Sequence, residues 1–319
     1  MITRADVDAA TRRIAGLVRR TPVAQVEADL FSPEGSAPPG ELWLKLEHLQ
    51  HTGSFKTRGA TNRILAAAES GELSKEAGVV AASGGNAGLA VAHVAKRLGI
   101  PAEVHVPEHA PPVKVAKLRA LGAAVRQGGS QYAEAYDSAV KRAADTGALF
   151  CHAYDQPEIC AGQGSVGLEL AEQIPNLDTV LVAVGGGGLM AGVATALAGQ
   201  ARVTAVEPET IPTLRAALDA GRPVDIEVSG IAADSLGARR IGEIAYQVAV
   251  REDVGSVLVS DEAIIRARRL LWQRCRIAVE HGTAAALAAL IAGAYLPAEG
   301  QRAAVLLCGA NTDPSDLAG

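Results

Sequence analysis

Aromatic residues are scarce in this chain: phenylalanine, tryptophan and tyrosine together make up 3% of its 319 residues. Its interior therefore has to be built from alanine, valine and leucine, which suits an α/β protein. Positive charge is not in excess either. The formal net charge is -5 and no basic stripe is interleaved with aromatics, so the electrostatic footprint of phosphate-backbone binding is missing and nucleic acid is excluded as an expected partner. No uninterrupted apolar run approaches the roughly 20 residues that cross a bilayer. The first residues, MITRADVDAATRRIAGLVRR, carry charges where a secretory signal is apolar, so a soluble, cytoplasmic protein without a membrane partner is expected. The four cysteines, Cys151, Cys160, Cys275 and Cys308, share no C-x-x-C spacing. That removes a zinc knuckle and a disulfide framework, and leaves small core residues as the default reading.

A chain of 319 residues exceeds the roughly 250 to 300 at which single cores stop growing, so two lobes are expected. Short β-branched runs alternate with alanine-rich stretches: residues 78–83, 102–107, 123–128, 178–185, 201–208 and 303–309 read as strands. Helices are expected over 86–98, 113–121, 189–197 and 261–280, with Gly99, Pro101 and Gly122 as stop signals. This alternation is that of βαβ units, so the expected fold is α/β, with a mostly parallel sheet flanked by helices in each lobe. The segment FSPEGSAPPG, 31–40, reads as an exposed loop, and no internal repeat is present.

Four segments carry candidate chemistry. In KLEHLQHTGSFKTRGATN (45–62), Lys56 follows Phe55 at the start of a helix; a lone lysine is usually a solvated charge, but an aromatic neighbour can pack on a flat ligand. SGGNAG (83–88) and GGGGLMAG (185–192) each join a strand to a helix. At such junctions bare amides and the helix dipole can hold an anion. Either could instead be a tight turn, and GGGGL could belong to a dinucleotide site, although the acidic ribose partner of that motif is not clearly present. In LLCGANTD (306–313) a strand ends at Cys308, by composition a core cysteine.

In this order and at these separations the segments resemble those of the fold-type II pyridoxal phosphate enzymes, the family of threonine and serine dehydratases and serine racemase. Lesser matches at Thr21-Pro22, 152–170, 205–208 and 277–290 extend the resemblance over almost the whole chain. It implies a fold like that of the tryptophan synthase β-subunit, with a large cofactor-binding domain (1–70 and 147–319) and a small substrate-clamping domain (71–146). It implies pyridoxal 5'-phosphate as cofactor, held as an imine on Lys56 beside Phe55. Gly185, Gly186, Gly187, Gly188 and Leu189 would form the phosphate cup, Asn86 would bond the phenolic oxygen, and Cys308 would face the pyridine nitrogen. Ser83, Gly84, Gly85, Asn86 and Ala87 would hold the substrate carboxylate, with Lys56 and Ser83 as catalytic residues. A homodimer is implied as well.

The implied reaction is β-elimination of water from L-threonine or L-serine, giving 2-oxobutyrate or pyruvate and ammonia. Within the fold the alternatives are a serine racemase and a β-replacement synthase; outside enzymes, a silent amino-acid-binding protein. Racemases of the family carry a second serine in the carboxylate loop, where this chain has Gly84, so dehydration is favoured. Ser235, in GIAADSLG, lies where glycine or alanine is usual and could restore a hydroxyl on that face. For the divalent ion bound by some members, Glu207 matches one ligand position but Thr213 stands at the next; one carboxylate is thin for such an ion. No required metal is expected, and Glu207 is read as structural. The few residues after Cys308 leave no room for an effector domain, which points to a catabolic enzyme.

Overall fold

The computed structural model describes residues 1–33 and 38–317. Ten strands form two sheets: β1 (Val23–Val26), β2 (Glu41–Lys45), β3 (Val79–Ala82), β4 (Ala102–Val106), β5 (Ala124–Gln127), β6 (Leu149–Phe150), β7 (Thr179–Ala183), β8 (Arg202–Pro208), β9 (Gly255–Val259) and β10 (Arg302–Leu306). The larger sheet has the order β1-β2-β10-β7-β8-β9, and the smaller β5-β4-β3-β6. Among the described strand pairs only β1–β2 is antiparallel. Strands covered by helices on both faces must be apolar throughout, and β3 (VVAA) and β7 (TVLVA) are buried at every position.

With so few rings available, the helices pack through small residues. His281–Ile291 (HGTAAALAALI) lies beneath the large sheet with its alanines and leucines buried. Helices Pro157–Gln173 and Gly188–Leu197 approach so closely that a Cβ on Gly192 would come within 2.4 Å of the Cys160 carbonyl oxygen. Such backbone proximity is available only to glycine.

Helix Lys56–Ser70 is fastened by a buried ionic cluster. Arg58 meets Glu47 at 2.6 Å and Glu169 at 2.7 Å, and Lys45 meets Glu169 at 2.6 Å. Thr21 donates to Glu47 at 2.6 Å and its carbonyl accepts from Lys45. Each charge has an opposite partner, the condition for burying one at tolerable cost.

Three expectations change. The helix expected over 261–280 stops at Leu270, passes through a π-helical turn at Leu271–Cys275 and breaks at Arg276, whose φ is 56°. The freed Val279 carbonyl accepts from Arg268. The loop over 31–40 is not exposed throughout: Phe31 is 2% exposed within the core under the large sheet, and Pro39 is buried between exposed Pro38 and Gly40. Residues 34–37 of that loop lie outside the described residues. The small sheet also runs past residue 146, since Leu149 and Phe150 pair with β3. Among the described residues no helix is long and apolar enough to cross a membrane.

Candidate active site

Sites in open parallel sheets form beyond the carboxyl ends of the strands, and here β3, β7 and β10 deliver three loops to one place. An isolated bridge between Ser54 and Gly309, with the Phe55 amide donating to the Cys308 carbonyl at 3.0 Å, ties the start of the Lys56 helix to the end of β10. The resulting pocket, about 490 Å³, is lined by Phe55, Lys56, Asn86, Gly185, Gly186, Gly187, Gly188, Leu189, Ser235 and Cys308, and by Tyr154, Glu280, Gly282 and Thr283. Ser83, Gly84, Gly85 and Ala87 are half-buried and stand outside that lining. The Ser83 hydroxyl accepts from the Gly85 amide at 3.2 Å.

Lys56 reaches into the pocket with the Phe55 ring 5.0 Å from its Nζ. Nζ donates to the Ala153 carbonyl at 2.6 Å. Burial pushes its pKa down to about 8, because a desolvated ammonium is disfavoured. The neutral amine is therefore a minor but far larger fraction near neutral pH than for an exposed lysine.

The four glycines of 185–188 are each required by a neighbour. A Cβ at Gly185 would lie 2.7 Å from the Leu236 carbonyl, at Gly186 2.3 Å from the Tyr154 ring, and at Gly188 2.5 Å from the Tyr154 carbonyl. Gly187 has φ 83° as the residue before helix Gly188–Leu197. The first amides of that helix have no intrahelical acceptor and, with the helix dipole, suit a dianionic phosphate. Thr213 Oγ1 lies 2.6 Å from the Gly185 carbonyl oxygen and 3.0 Å from Glu207 Oε1. Glu207 also accepts from the Leu214 and Arg215 amides, at 2.7 and 3.0 Å, so its carboxyl group serves the start of helix Thr213–Ala220. Burial pushes that carboxyl up to about 7.

Asn86 opens helix Asn86–Leu98 and donates through Nδ2 to both oxygens of Glu280, at 2.9 and 3.1 Å, while its Oδ1 accepts from Asn311 at 2.6 Å. The Asn311 amide also donates to Glu280, at 2.8 Å. Burial raises the Glu280 pKa. Cys308 Sγ sits 3.3 Å from Thr283 Oγ1, and the Thr283 hydroxyl donates to the Gly309 carbonyl at 2.9 Å. That uses the one hydroxyl proton, so the thiol hydrogen is the donor to Thr283. Burial pushes the thiol up to about 12, leaving Cys308 neutral. The Ser235 oxygen accepts from the Gly282 amide at 3.2 Å, at the entry to helix His281–Ile291.

Sequence reasoning passed over Tyr154, Glu280, Thr283 and Asn311, taking 152–170 and 277–290 only as lesser matches that extend the resemblance. A half-buried tyrosine and a lone acid before a helix carry no local signal; a glycine cup whose second residue excludes a Cβ offers one only once its neighbour is known.

A buried lysine whose pKa is lowered to about 8, a glycine cup at a helix start and a neutral thiol in the same lining form a donor set that fits pyridoxal phosphate, an aldehyde with a phosphate tail and a ring nitrogen. The sequence profile of the pyridoxal-phosphate dependent enzymes matches residues 14–309. An L-threonine ammonia-lyase of Thermotoga maritima is 36% identical over 98% of this chain and 76% of its own length. A phenylserine dehydratase of Ralstonia pickettii is 38% identical over 96% of this chain and 92% of its own. Maize serine racemase superposes with a TM-score of 0.89 at 31% identity, covering 99% of this chain and 95% of that one.

Proposed function

The chain belongs to the pyridoxal-phosphate dependent enzymes, and from that premise we propose that it is an ammonia-lyase that removes water and then ammonia from L-threonine and L-serine, giving 2-oxobutyrate and pyruvate. The relatives named for threonine and phenylserine both act by losing a β-hydroxyl group, which supports elimination as the shared reaction.

The cofactor, when bound, supplies the electron sink for the bond broken at Cα. The chain supplies the rest. The Lys56 amine, brought to about 8 by burial, is the base that takes the Cα proton. The 185–188 amides and Leu189 would hold the phosphate, Phe55 would lie beside the ring, and Asn86, its amide fixed by Glu280, would orient it. Ser83, Gly84, Gly85 and Ala87, on the loop before and into helix Asn86–Leu98, would hold the substrate carboxylate.

The observation that carries this reading is the neutral thiol of Cys308 in the pocket lining: facing a ring nitrogen, it would not keep that nitrogen protonated as a carboxylate would. Without that charge a long-lived carbanion is disfavoured, so a leaving group on Cβ departs promptly. The racemase reading has support in the maize structure, but Gly84 offers no proton to the opposite face of Cα; Ser235, whose oxygen accepts from the Gly282 amide, keeps its hydroxyl proton and is the group that the D-serine measurement below tests. We further take the protein to be a cytoplasmic homodimer. The deciding experiment incubates holoenzyme with L-serine and L-threonine while 2-oxo acid and D-serine are measured. Steady 2-oxo acid with D-serine at trace level is expected; D-serine as the main product, or no 2-oxo acid, overturns the proposal.

A further inference from the structure

One carboxyl group stands in the pocket lining among the described residues, that of Glu280, and its place in the chain does not account for it. Glu280 precedes helix His281–Ile291, where an acid ordinarily accepts from the first helical amides, yet its side chain accepts from none of them. The Gly282 amide goes to the Ser235 oxygen instead. The glutamate turns inward, 7% exposed, and is held by the neutral donors Asn86 and Asn311. Burying a carboxylate on neutral donors costs stability, and the helix gains nothing from it in return.

Its two oxygens differ. Oε1 accepts from Asn86 at 2.9 Å and from the Asn311 amide at 2.8 Å, whereas Oε2, among the described residues, accepts from Asn86 alone, at 3.1 Å. Each carboxylate oxygen has two lone-pair directions, so Oε2 is the atom free to take a proton. Burial favours that uptake, as does Asp234; Lys114 opposes it. Lys56, at the start of its helix, and Cys308, just past β10, are the other titratable groups that feel the Glu280 charge.

Loss of water needs a proton on the departing hydroxyl, because hydroxide is a poor leaving group. The other candidates in the lining are committed or too weakly acidic. The Thr283 proton goes to the Gly309 carbonyl and the Tyr154 proton to the Arg240 carbonyl. The Cys308 thiol is pushed up to about 12, and Ser235 is an alcohol, no better an acid than the alcohol it would protonate. Lys56 takes the Cα proton. Glu280 remains, bonded to Asn86 where the 83–85 loop enters helix Asn86–Leu98, beside the segment assigned to the substrate.

We propose that Glu280 is the acid of the elimination: through Oε2 it takes a proton from the substrate ammonium and gives it to the departing β-hydroxyl. The inference rests on the ammonia-lyase reading above. The protons balance. As the amino acid binds, its ammonium group passes one proton to Glu280; the amine displaces Lys56, which then takes the Cα proton. The Cα–H electron pair becomes the second bond between Cα and Cβ. The Cβ–O bond breaks with its electron pair on oxygen, and the Glu280 proton completes a water molecule. One water is consumed as the released enamine hydrolyses, and the Cα proton leaves with ammonia as ammonium. Glu280 is then a carboxylate again.

The test compares L-serine with β-chloro-L-alanine, whose chloride leaves without a proton, as substrates of the holoenzyme, with 2-oxo acid measured for both. In Glu280→Gln, kcat/KM for serine relative to β-chloro-L-alanine should fall about 100-fold or more, the usual contribution of a placed acid; turnover of the chloride shows at the same time that the variant is folded and loaded. In the wild-type protein the same ratio should fall as pH rises, because the protonated carboxyl is lost above its pKa while Lys56 acts on both substrates alike. If Glu280→Gln is inactive on both, the wild-type pH series decides. A ratio unchanged by Glu280→Gln, or flat across pH in the wild type, overturns this inference alone. Wild-type holoenzyme that releases 2-oxo acid from neither L-serine nor L-threonine overturns the ammonia-lyase reading, and this inference with it.

Discussion

Replacing Gly186 with alanine would put a methyl carbon 2.3 Å from Cγ of Tyr154, and 2.4 and 2.5 Å from its two Cδ atoms. The backbone is not the obstacle, since Gly186 is not among the positive-φ glycines; the cost comes from the ring. Tyr154 cannot swing aside freely, because His152 packs edge-on at 4.7 Å and its hydroxyl reaches the Arg240 carbonyl at 3.3 Å. Either the ring leaves both contacts or the glycine cup shifts. Overpacking of this kind costs about 1 to 3 kcal/mol, and if the cup gives way the cost appears as cofactor affinity weakened by roughly 5- to 150-fold. Titration of the apoprotein with pyridoxal phosphate, followed by visible absorbance, reads that change directly. Gly186→Ala combined with Tyr154→Ala should recover most of the loss, as contacting sites are non-additive. Wild-type affinity in Gly186→Ala, or a double variant as weak as the single one, refutes the steric account.

Other expectations follow from the same geometry. With the Lys56 pKa lowered to about 8 and the neutral amine as the reactive form, the rate of cofactor capture by apoprotein should rise as pH increases toward 8 and level off above it. Stopped-flow absorbance across pH checks this, and a flat profile contradicts it. Gly84→Ser should be tolerated, because a Cβ there meets only Val106 Cγ1, at 3.4 Å, and D-serine should become measurable by chiral chromatography. Glu280→Gln replaces an acceptor-only group that receives Asn86 and Asn311. One amide end then faces a donor, at a cost of about 1 to 3 kcal/mol, read as a lower melting temperature and an altered absorbance maximum of the holoenzyme.

Much of the fold was legible because β3, β7, β8 and β10 are short runs rich in alanine, valine and leucine, and parallel strands buried on both faces require an apolar composition. β6 was not, having two residues and no pattern to display. The break at Arg276 was missed because the apolar spacing continues across it and only the backbone reverses. Within the pocket, Lys56, Asn86, the 185–189 cup and Cys308 could be found because each stands where a strand end meets a glycine or a helix start. Glu280 could not. Its partner Asn86 is 194 residues away, and an acid before a helix reads as an ordinary capping charge until the pair is seen buried. Tyr154 was hidden likewise, since its importance lies in the methyl group that Gly186 lacks.

The hydroxyl of Thr213 has one proton and two oxygens within reach, the Gly185 carbonyl at 2.6 Å and Glu207 at 3.0 Å. If that proton goes to the carbonyl, the contact with Glu207 is satisfied only when the carboxyl brings a proton of its own, and a pKa near 7 lets it do so. Above that value the carboxylate competes for the same hydroxyl hydrogen. Gly185, the first glycine of the 185–188 run, thus shares its anchor with a carboxyl that burial raises to about 7, although that carboxyl lies outside the pocket lining.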